Sequence, residues 1–335
     1  MEETEKLQDL KSQIKAEASR LGFSACGVAS VAPVEKETQF HFNQWLDKGY
    51  QSGMDYMARY KEIRMNPSLL MEDTRSILSL ALNYYPPKQI PPEEPQIAWY
   101  AYGQDYHDVL KSKLHQLFEF IRTWFSSNQT NLSLKLPSSL SGRICVDTAP
   151  LLERYWAWKA GIGWIGKHTQ LILPQKGSCF FLGEILLNLN LPSDEPMKEH
   201  CGKCKLCLEA CPGKALIHPY TLDAEKCLSY QTIENRGLLS SEACRILPNK
   251  IYGCDECLKA CPYHRFSSPT LVREFHPSSS LLAMTREKWN TFSVEEYRIL
   301  FKRSAIKRVK YEGLMRNIQA ADSAFFSEEN KSCKK

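Results

Sequence analysis

The spacing of apolar residues changes from one segment of the chain to the next. In residues 7–21 and 109–124, apolar side chains recur at steps of three and four, which predicts two amphipathic helices, the first ending near Gly22. Residues 151–160 show the same helical spacing. Helices therefore contribute to the N-terminal half of the fold.

Shorter apolar runs in the same half predict strands. Residues 76–85 form a nearly continuous apolar run that stops at a proline pair, and strands are also predicted at residues 143–146, 170–173 and 179–187. Two further segments are predicted loops, because they are rich in proline or serine: residues 86–95 and 126–142. Since helices and strands alternate through the first ~190 residues, the pattern indicates an α+β or α/β fold.

Composition and charge narrow the class of protein. The 335 residues suffice for one large domain or two modest ones, and 43% hydrophobic residues is ordinary for a globular chain. A net charge of +5 permits a polyanionic partner without requiring one. Residues 1–6 are acidic and no apolar run is long enough for a bilayer, so we predict a cytoplasmic protein without a membrane partner. Cysteines there are reduced and available to metals.

The clearest chemical signal is a run of cysteines from Cys201 to Pro212 with the spacing C-x2-C-x2-C-x3-C-P. In bacterial ferredoxins, three thiolates at this spacing hold one four-iron, four-sulfur cluster, and the fourth thiolate reaches a second cluster. A second run, from Cys254 to Pro262, lacks its first cysteine. Cys227 lies between the two runs and can fill that position.

Eight cysteines therefore suit two clusters in a crossed arrangement. One cluster is predicted to be held by Cys201, Cys204, Cys207 and Cys261. The other is predicted to be held by Cys211, Cys227, Cys254 and Cys257. Zinc is the alternative, but it usually takes two well-separated C-x2-C pairs. The remaining cysteines are interpreted as small core residues or surface thiols: Cys26, Cys145, Cys179, Cys244 and Cys333.

The segment before the cysteines is expected to hold an electron acceptor. Two neighbouring clusters pass electrons from one to the other, and these electrons must reach a final acceptor. Gly161, Gly163 and Gly166 match the dinucleotide pattern G-x-G-x-x-G, which requires a strand before it and a helix after it. The predicted order is the reverse. We therefore interpret these glycines as allowing the backbone to approach a ligand closely.

Polar side chains in this N-terminal half offer candidate chemistry. Asp147 follows the predicted strand 143–146, where it could cap the next helix or act as a general acid that protonates a reduced substrate. Asp105 is interpreted as a helix N-cap in the motif YGQDYH, residues 102–107. Arg64 is suited to meet a phosphate or a carboxylate.

Together, these motifs resemble the epoxyqueuosine reductases, a family of corrinoid-dependent enzymes that complete queuosine in transfer RNA. The resemblance covers about residues 5–320 and includes both cysteine runs. The other matching segments are 64–67 (RMNP), 102–107 (YGQDYH), 146–154 (VDTAPLLER), 161–167 (GIGWIGK), 177–184, 304–308 (SAIKR) and 314–317 (LMRN).

The resemblance implies an α+β fold related to reductive dehalogenases. It implies a nitroreductase-like cobalamin-binding domain in residues 1–195, a two-[4Fe-4S] ferredoxin module in residues 196–268 and a basic, mostly helical segment in residues 269–335. Cobalamin would be bound without a protein ligand to cobalt. The cobalamin contacts would come from Arg64, Tyr102, Asp105, Tyr106, His107, Trp164, Lys167, Leu171 and Ser178.

The activity implied is reduction of epoxyqueuosine to queuosine at the anticodon wobble base of tRNA, the last step of queuosine biosynthesis, with Asp147 as the proton donor. The tRNA contacts would be Lys302, Arg303, Lys307, Arg308 and Arg316, unless these residues form only a solvated helix face. The electron donor would be a flavodoxin or a ferredoxin, and a monomer is expected.

The sequence departs from the family at a few positions and leaves two rival functions. Tyr263 and His264 stand where the family often has Trp-Asn, and His168 stands where asparagine is common. The first rival is a corrinoid reductive dehalogenase that acts on small molecules. The second is an electron-transfer or cobalamin-handling protein without substrate chemistry.

Overall fold

The computed structural model describes residues 2–129, 135–247 and 249–332. The α-helices are α1 (Glu2–Arg20), α2 (Lys36–Asp47), α3 (Lys61–Met65), α4 (Tyr106–Asn128), α5 (Glu153–Lys159), α6 (Leu206–Glu209), α7 (Ser241–Ile246), α8 (Glu256–Lys259), α9 (Ser279–Leu282), α10 (Arg286–Asn290), α11 (Val294–Leu300) and α12 (Lys310–Ser332). None of the helices in the described part of the chain is long and apolar enough to cross a membrane.

The strands are short apart from two in the middle of the main sheet. They are β1 (Ala25–Ser30), β2 (Ser76–Asn83), β3 (Gln96–Ile97), β4 (Gly142–Cys145), β5 (Trp164–Ile165), β6 (Leu171–Ile172), β7 (Phe180–Leu187), β8 (Leu216–His218), β9 (Thr221–Leu222) and β10 (Lys250–Tyr252). The main sheet is antiparallel, in the order β1-β2-β7-β4. Mixed helices and strands thus confirm the predicted α+β class.

Helices cover both faces of this sheet, which explains the continuous apolar run in β2. Leu78, Leu80 and Leu82 pack in the large core that includes α1 and α4, whereas Ile77 packs in a second core with α5 on the opposite face. Neighbouring side chains of a strand point to opposite faces. A strand buried on both faces therefore has apolar residues at nearly every position.

Most of the predicted elements are confirmed, with shifts at their ends. The helix α1 ends at Arg20, just before Gly22, and the strand β2 ends before the proline pair. The predicted loop at 126–142 was wrong at its start, because α4 continues to Asn128. Residues 130–134 of that loop, and Cys333, lie outside the described residues.

The C-terminal segment packs into the same large core as the sheet. Its residues Trp289, Phe301, Ile306 and Leu314 are buried together with side chains of α1, α4 and β2. Strand β10, which precedes the second cysteine run, pairs in parallel with β3. The three proposed segments therefore share one core, although their boundaries remain predictions.

One asparagine joins the C-terminal helix to the cysteine-rich segment. Asn317 on α12 is fully buried, and its side-chain amide donates hydrogen bonds to the carbonyl oxygens of Thr232 (2.8 Å) and Ile251 (2.9 Å). Ile251 belongs to β10, and it lies three residues before Cys254 in the chain. The amide therefore fixes the approach to the second cysteine run.

We expect Asn317→Ala to destabilise the protein by about 2 to 4 kcal/mol, because two buried carbonyl groups lose their donor. The thermal unfolding midpoint of the cluster-loaded protein should fall by several degrees. Ser323→Ala is the control, since Ser323 is an exposed residue of the same helix. An Asn317→Ala midpoint equal to that of the control would contradict this role.

Candidate active site and cluster-binding cysteines

Four of the predicted cluster ligands line one cavity. Cys201, Cys204, Cys207 and Cys261, here called the first quartet, surround a space of about 470 Å³. Burial, followed by the charges of the other three thiols, raises the pKa of Cys207 to about 11. The described residues contain no three Cys, His, Asp or Glu side chains gathered tightly enough for a single ion. The thiols instead line the wall of a space that fits a larger group such as a cluster.

The other four predicted ligands also lie close to one another. Cys211, Cys227, Cys254 and Cys257 are here called the second quartet. Burial raises the pKa of Cys257 well above the ordinary value, and the charges of Cys254, Cys227 and Cys211 raise it further. The first run thus contributes three thiols to the first quartet, and the second run contributes two thiols to the second quartet, which Cys227 joins. The last cysteine of each run lies with the opposite quartet. This grouping fits the crossed arrangement.

Asp147 lies directly beyond the end of β4, at the start of a turn. Its backbone has a positive φ of 55°, a left-handed conformation that aspartate tolerates better than most residues. Its N–H donates to a carboxylate oxygen of Glu153 at the start of α5. The side chain is 57% exposed. The backbone thus turns the Asp147 carboxylate out of the sheet toward solvent.

Two residues at the start of α4 hold that carboxylate. The Tyr106 hydroxyl donates to Asp147 Oδ2 at 3.0 Å, and His107 Nε2 lies 3.2 Å from the same oxygen. On its other side, His107 Nδ1 lies 2.7 Å from Asp105 Oδ1. Asp105 also caps α4, as predicted, by accepting from the backbone N–H of His107. The side chains of Asp105, His107 and Asp147 are thus connected in this order by hydrogen bonds and are here called the Asp105–His107–Asp147 line.

This arrangement decides where a proton resides. Burial alone would lower the pKa of His107, but hydrogen bonds to Asp105 and Asp147 outweigh burial and raise that pKa to about 9. Neighbouring atoms partly desolvate the Asp147 carboxylate, which opposes its ionisation, yet hydrogen bonds from His107 and Tyr106 lower its pKa. At neutral pH, Asp147 is therefore a carboxylate, and the adjacent proton is on His107.

Two further carboxyl groups lie behind Asp147. Burial, then the charge of Asp147, raises the pKa of Glu153 to about 8. Glu184 on β7 is fully buried, and burial and the charge of Glu153 raise its pKa well above the ordinary value. Ser79 donates to one Glu184 oxygen at 3.1 Å. Neither acid was predicted to have a role, although a glutamate inside the apolar strand FFLGEILL is a signal that its burial serves a specific purpose.

Comparison with known proteins connects this geometry to a family. Residues 64–148 match the family model of epoxyqueuosine reductase QueG, DUF1730, and residues 200–264 match the 4Fe-4S double cluster binding domain. The epoxyqueuosine reductase of Cellulophaga algicola is 40% identical over 318 residues, which are 95% of this chain and 99% of the relative. This chain belongs to the epoxyqueuosine reductase family.

Relatives with lower sequence identity are members of the same family. The epoxyqueuosine reductase of Escherichia coli K12 is 37% identical over 327 residues, covering 96% of this chain and 83% of the relative. A crystal structure of epoxyqueuosine reductase with a tRNA-Tyr epoxyqueuosine-modified stem loop has a TM-score of 0.82 and 27% identity, covering 95% of this chain and 82% of that one. The Streptococcus thermophilus enzyme has a TM-score of 0.82 and 28% identity, covering 94% of this chain and 81% of that one.

The residues predicted to contact cobalamin in this family member fall into two main groups. Asp105, Tyr106 and His107 lie with Asp147, and the charge of Asp147 also acts on the buried Arg64. A second group lies near the first quartet: Trp164, Lys167, Leu171 and Ser178. Trp164 and Lys167 line the cavity of the first quartet. Leu171 pairs with Ile165, which follows Trp164 in the chain. Ser178 follows Gly177, which closely approaches Tyr263 and Ser267.

Tyr102 and Lys167 are engaged within the protein. Tyr102 is buried in the large core, where its hydroxyl accepts from the backbone N–H of Ile90. The ammonium group of Lys167 donates to the carbonyl oxygens of Gly202 and Cys204. Both contacts indicate structural roles for these two side chains, and the engaged hydroxyl of Tyr102 does not support a contact with the cofactor.

Several buried polar atoms in both groups suit a large polar ligand. Arg64 Nε, Trp164 Nε1 and Ser178 Oγ are buried without a hydrogen-bond partner among the described residues. Buried polar groups are normally paired. Cobalamin carries many amide groups, so these atoms fit its periphery, and the open approach to Asp147 leaves room for a substrate.

Two of the three glycines of the G-x-G-x-x-G match lie close to the protein's own backbone. A Cβ on Gly163 would lie 2.3 Å from the carbonyl oxygen of Ile172, and one on Gly161 would lie 2.5 Å from that of Glu195. The approach of these glycines to a ligand stays a prediction.

Two of the three departures from the family pattern line the cavity of the first quartet. His168 and Tyr263 both line its cavity, and Tyr263 packs edge-on against Trp164 with ring centroids 4.8 Å apart. His264 stacks on Trp99 at 5.2 Å. Burial, followed by the charge of Arg154, lowers the pKa of His168 to about 4, so this side chain is neutral.

The predicted tRNA contacts divide into an exposed basic segment and one internal residue. Lys302, Arg303, Lys307 and Arg308 are exposed. The backbone carbonyl of Arg303 accepts from the N–H of Asp105, which places this basic segment beside the Asp105–His107–Asp147 line. Arg308 pairs with Glu234 at 2.8 Å.

Arg316 differs from these four basic residues. Its guanidinium donates to the carbonyl oxygens of Gln231, Asn235 and Gly237. A guanidinium engaged in three backbone contacts has little capacity left for a phosphate. The structure therefore does not support the prediction that Arg316 contacts tRNA.

We expect the imidazole of His107 to lose its proton near pH 9, and Asp147→Asn to shift this midpoint down toward 6.5, because the variant removes one of the two carboxylates that stabilise the charged form. The measurement is NMR titration of ¹⁵N-histidine-labelled protein, with His107→Gln to assign the signal. Asp108→Asn, an exposed neighbour, should leave the midpoint unchanged. A midpoint that ignores Asp147→Asn would disprove the coupling.

Proposed function

We propose that this chain reduces epoxyqueuosine to queuosine at the wobble position of a tRNA anticodon, the last step of queuosine biosynthesis. The observation that carries the proposal is an exposed carboxylate, Asp147, with a protonated histidine behind it, in a chain with a double-cluster domain. Membership of the epoxyqueuosine reductase family favours this activity over a reductive dehalogenase or a simple electron carrier.

We further propose that the two quartets each hold one [4Fe-4S] cluster. The grouping of their thiols supports this assignment. Cobalamin would be held by Arg64, Trp164 and Ser178, whose buried polar atoms are free to meet its amide groups. When bound, cobalamin supplies the reducing chemistry that removes the epoxide oxygen.

The residues of the chain handle the protons of this reaction. Two electrons and two protons convert an epoxide into an alkene and water, so the departing oxygen takes up two protons, one from the protein and one from the solvent. Asp147 is the exposed group that faces solvent, and His107 holds the nearest proton. A proton passed from His107 through Asp147 to the oxygen leaves a neutral imidazole, which Asp105 then keeps oriented. Tyr106 holds Asp147 in place meanwhile.

The proposed partners follow from the same features. The exposed basic segment beside Asp105 suits the phosphates around an anticodon loop, whose bases can be splayed into a pocket. A small one-electron carrier, of the flavodoxin or ferredoxin type, would reduce the clusters. We propose a cytoplasmic monomer.

Asp147→Asn should lower turnover of an epoxyqueuosine-containing stem loop by about 10²–10⁴-fold, because the departing oxygen loses its proton donor. Turnover is measured anaerobically on protein whose iron and cobalt contents equal those of the wild type. Asp108→Asn is the matched control. Normal turnover by a fully loaded Asp147→Asn enzyme would rule out this role.

The double variant Lys302→Glu with Lys307→Glu should weaken stem-loop binding by about tenfold or more and reduce its salt dependence, because phosphate contacts release counterions. Binding is measured at several salt concentrations. The matched control is Lys36→Glu with Lys135→Glu, two exposed lysines in the N-terminal half. Equal affinities and equal salt slopes for the two double variants would show that the basic segment is only a solvated surface.

A further inference from the structure

The two cysteine runs have corresponding positions but opposite environments. Directly before the second run, Gly253 packs against Ala98, and within the run Asp255 is only 7% exposed. Asp255 accepts a hydrogen bond from the backbone N–H of Trp99 at 2.8 Å. Leu258 is buried as well. The loop around the second quartet is therefore enclosed by the core.

The first run faces solvent at the corresponding positions. A Cβ on Gly202 would meet nothing within 4 Å, and Lys203 and Lys205 are exposed. Lys205 occupies the position that corresponds to the buried Asp255. Leu206 is 48% exposed, although it is apolar. The loop around the first quartet is therefore the outer one.

Contacts on the inner side connect the second run to the active site. Tyr252 lies two residues before Cys254 in the chain, and its hydroxyl is 3.0 Å from the Tyr100 hydroxyl. The Tyr100 ring packs edge-on against Tyr106, with ring centroids 6.3 Å apart. Tyr106 in turn donates to Asp147. The second quartet thus lies toward Asp147, whereas the first quartet shares its cavity with Trp164 and Lys167 and has a loop, residues 202–206, that faces solvent.

We propose that Gly202, Lys203, Lys205 and Leu206, here called the uptake face, form the docking site for an acidic flavodoxin that reduces the outer cluster. This proposal rests on the proposed function, because it requires a cluster at the first quartet. The two lysines attract an acidic carrier, and Leu206 offers an apolar contact for the exposed edge of a flavin.

Nearby acidic groups do not cancel this charge. Glu199 accepts from the backbone N–H of Cys201 and from the Tyr220 hydroxyl and keeps its negative charge, but four exposed lysines outnumber the two acids of this stretch: Lys198, Lys203, Lys205 and Lys214. Glu209, at the end of α6, is the exposed acid of this run. From inside, Lys167 fixes the same loop through the carbonyl oxygens of Gly202 and Cys204. The uptake face is therefore positively charged and held in one shape.

The transfer itself is a one-electron step. Flavodoxin in its hydroquinone form is oxidised by one electron, and the outer cluster is reduced by one electron. The electron then passes to the inner cluster, which the shared packing of the two runs keeps adjacent. Two such transfers supply the two electrons of the proposed reaction.

The test is stopped-flow reduction of the cluster-loaded protein by hydroquinone flavodoxin, followed as loss of cluster absorbance, without cobalamin or RNA. The wild-type bimolecular rate constant should fall steeply as salt is raised, because opposite charges steer the encounter. A rate that is independent of salt would overturn the proposal without any variant.

The charge-reversal variant Lys203→Glu with Lys205→Glu should react with flavodoxin at least about tenfold more slowly at low salt. Its reduction by dithionite, a small reductant that needs no docking face, should equal that of the wild type. Lys36→Glu with Lys135→Glu is the matched control and should react normally. Leu206→Ser, which leaves the charge of the face unchanged, should also slow reduction by flavodoxin but not reduction by dithionite.

Other outcomes would overturn the proposal in distinguishable ways. Unchanged reduction of the charge-reversal variant by flavodoxin would exclude the uptake face as the docking site. Weaker stem-loop binding with unchanged reduction would assign this face to RNA instead. Reduction of the wild type by an acidic ferredoxin but not by flavodoxin would exclude the chosen carrier. None of these results depends on turnover of epoxyqueuosine.

Discussion

The contact between the second cysteine run and residues 96–100 is the constraint on which the rest of the arrangement depends. Strand β10 pairs with β3, Asp255 accepts from Trp99, and Tyr252 meets Tyr100. These contacts are buried, so they hold the cysteine-rich segment rigidly against the catalytic half. Electron transfer between a cluster and a second cofactor requires such a fixed separation. The C-terminal helix stabilises the same place through Asn317.

The acidic residues around Asp147 show how one carboxylate is kept charged among several. Glu153 and Glu184 have raised pKa values because they are buried, whereas hydrogen bonds from Tyr106 and His107 keep Asp147 ionised. Three neighbouring charges of the same sign would repel one another strongly at low dielectric. Keeping the two rear acids neutral leaves Asp147 as the charged acceptor for the His107 proton.

Local patterns in the sequence predicted the secondary-structure elements well, because these depend on short spacings. The run of β2 and the cap at Asp105 are examples. The sequence could not reveal that His107 lies between two carboxylates, because Asp147 is 40 residues away and the contact depends on the order of the strands. It also could not separate Arg316 from its basic neighbours. That difference arises from the backbone carbonyls that happen to surround the guanidinium.

The same limit applies to the two cysteine runs, whose spacings are nearly identical and whose surroundings are opposite. Lys205 and Asp255 correspond in position, yet one faces solvent and the other is enclosed beside Trp99. A buried carboxylate next to a cluster costs solvation energy, which its hydrogen bond from the Trp99 backbone partly offsets. An exposed lysine at the other cluster costs nothing and attracts an anionic carrier. The asymmetry gives the pair of clusters a direction, from a charged surface toward a proton-donating site, which the symmetric spacing of the cysteines alone does not provide.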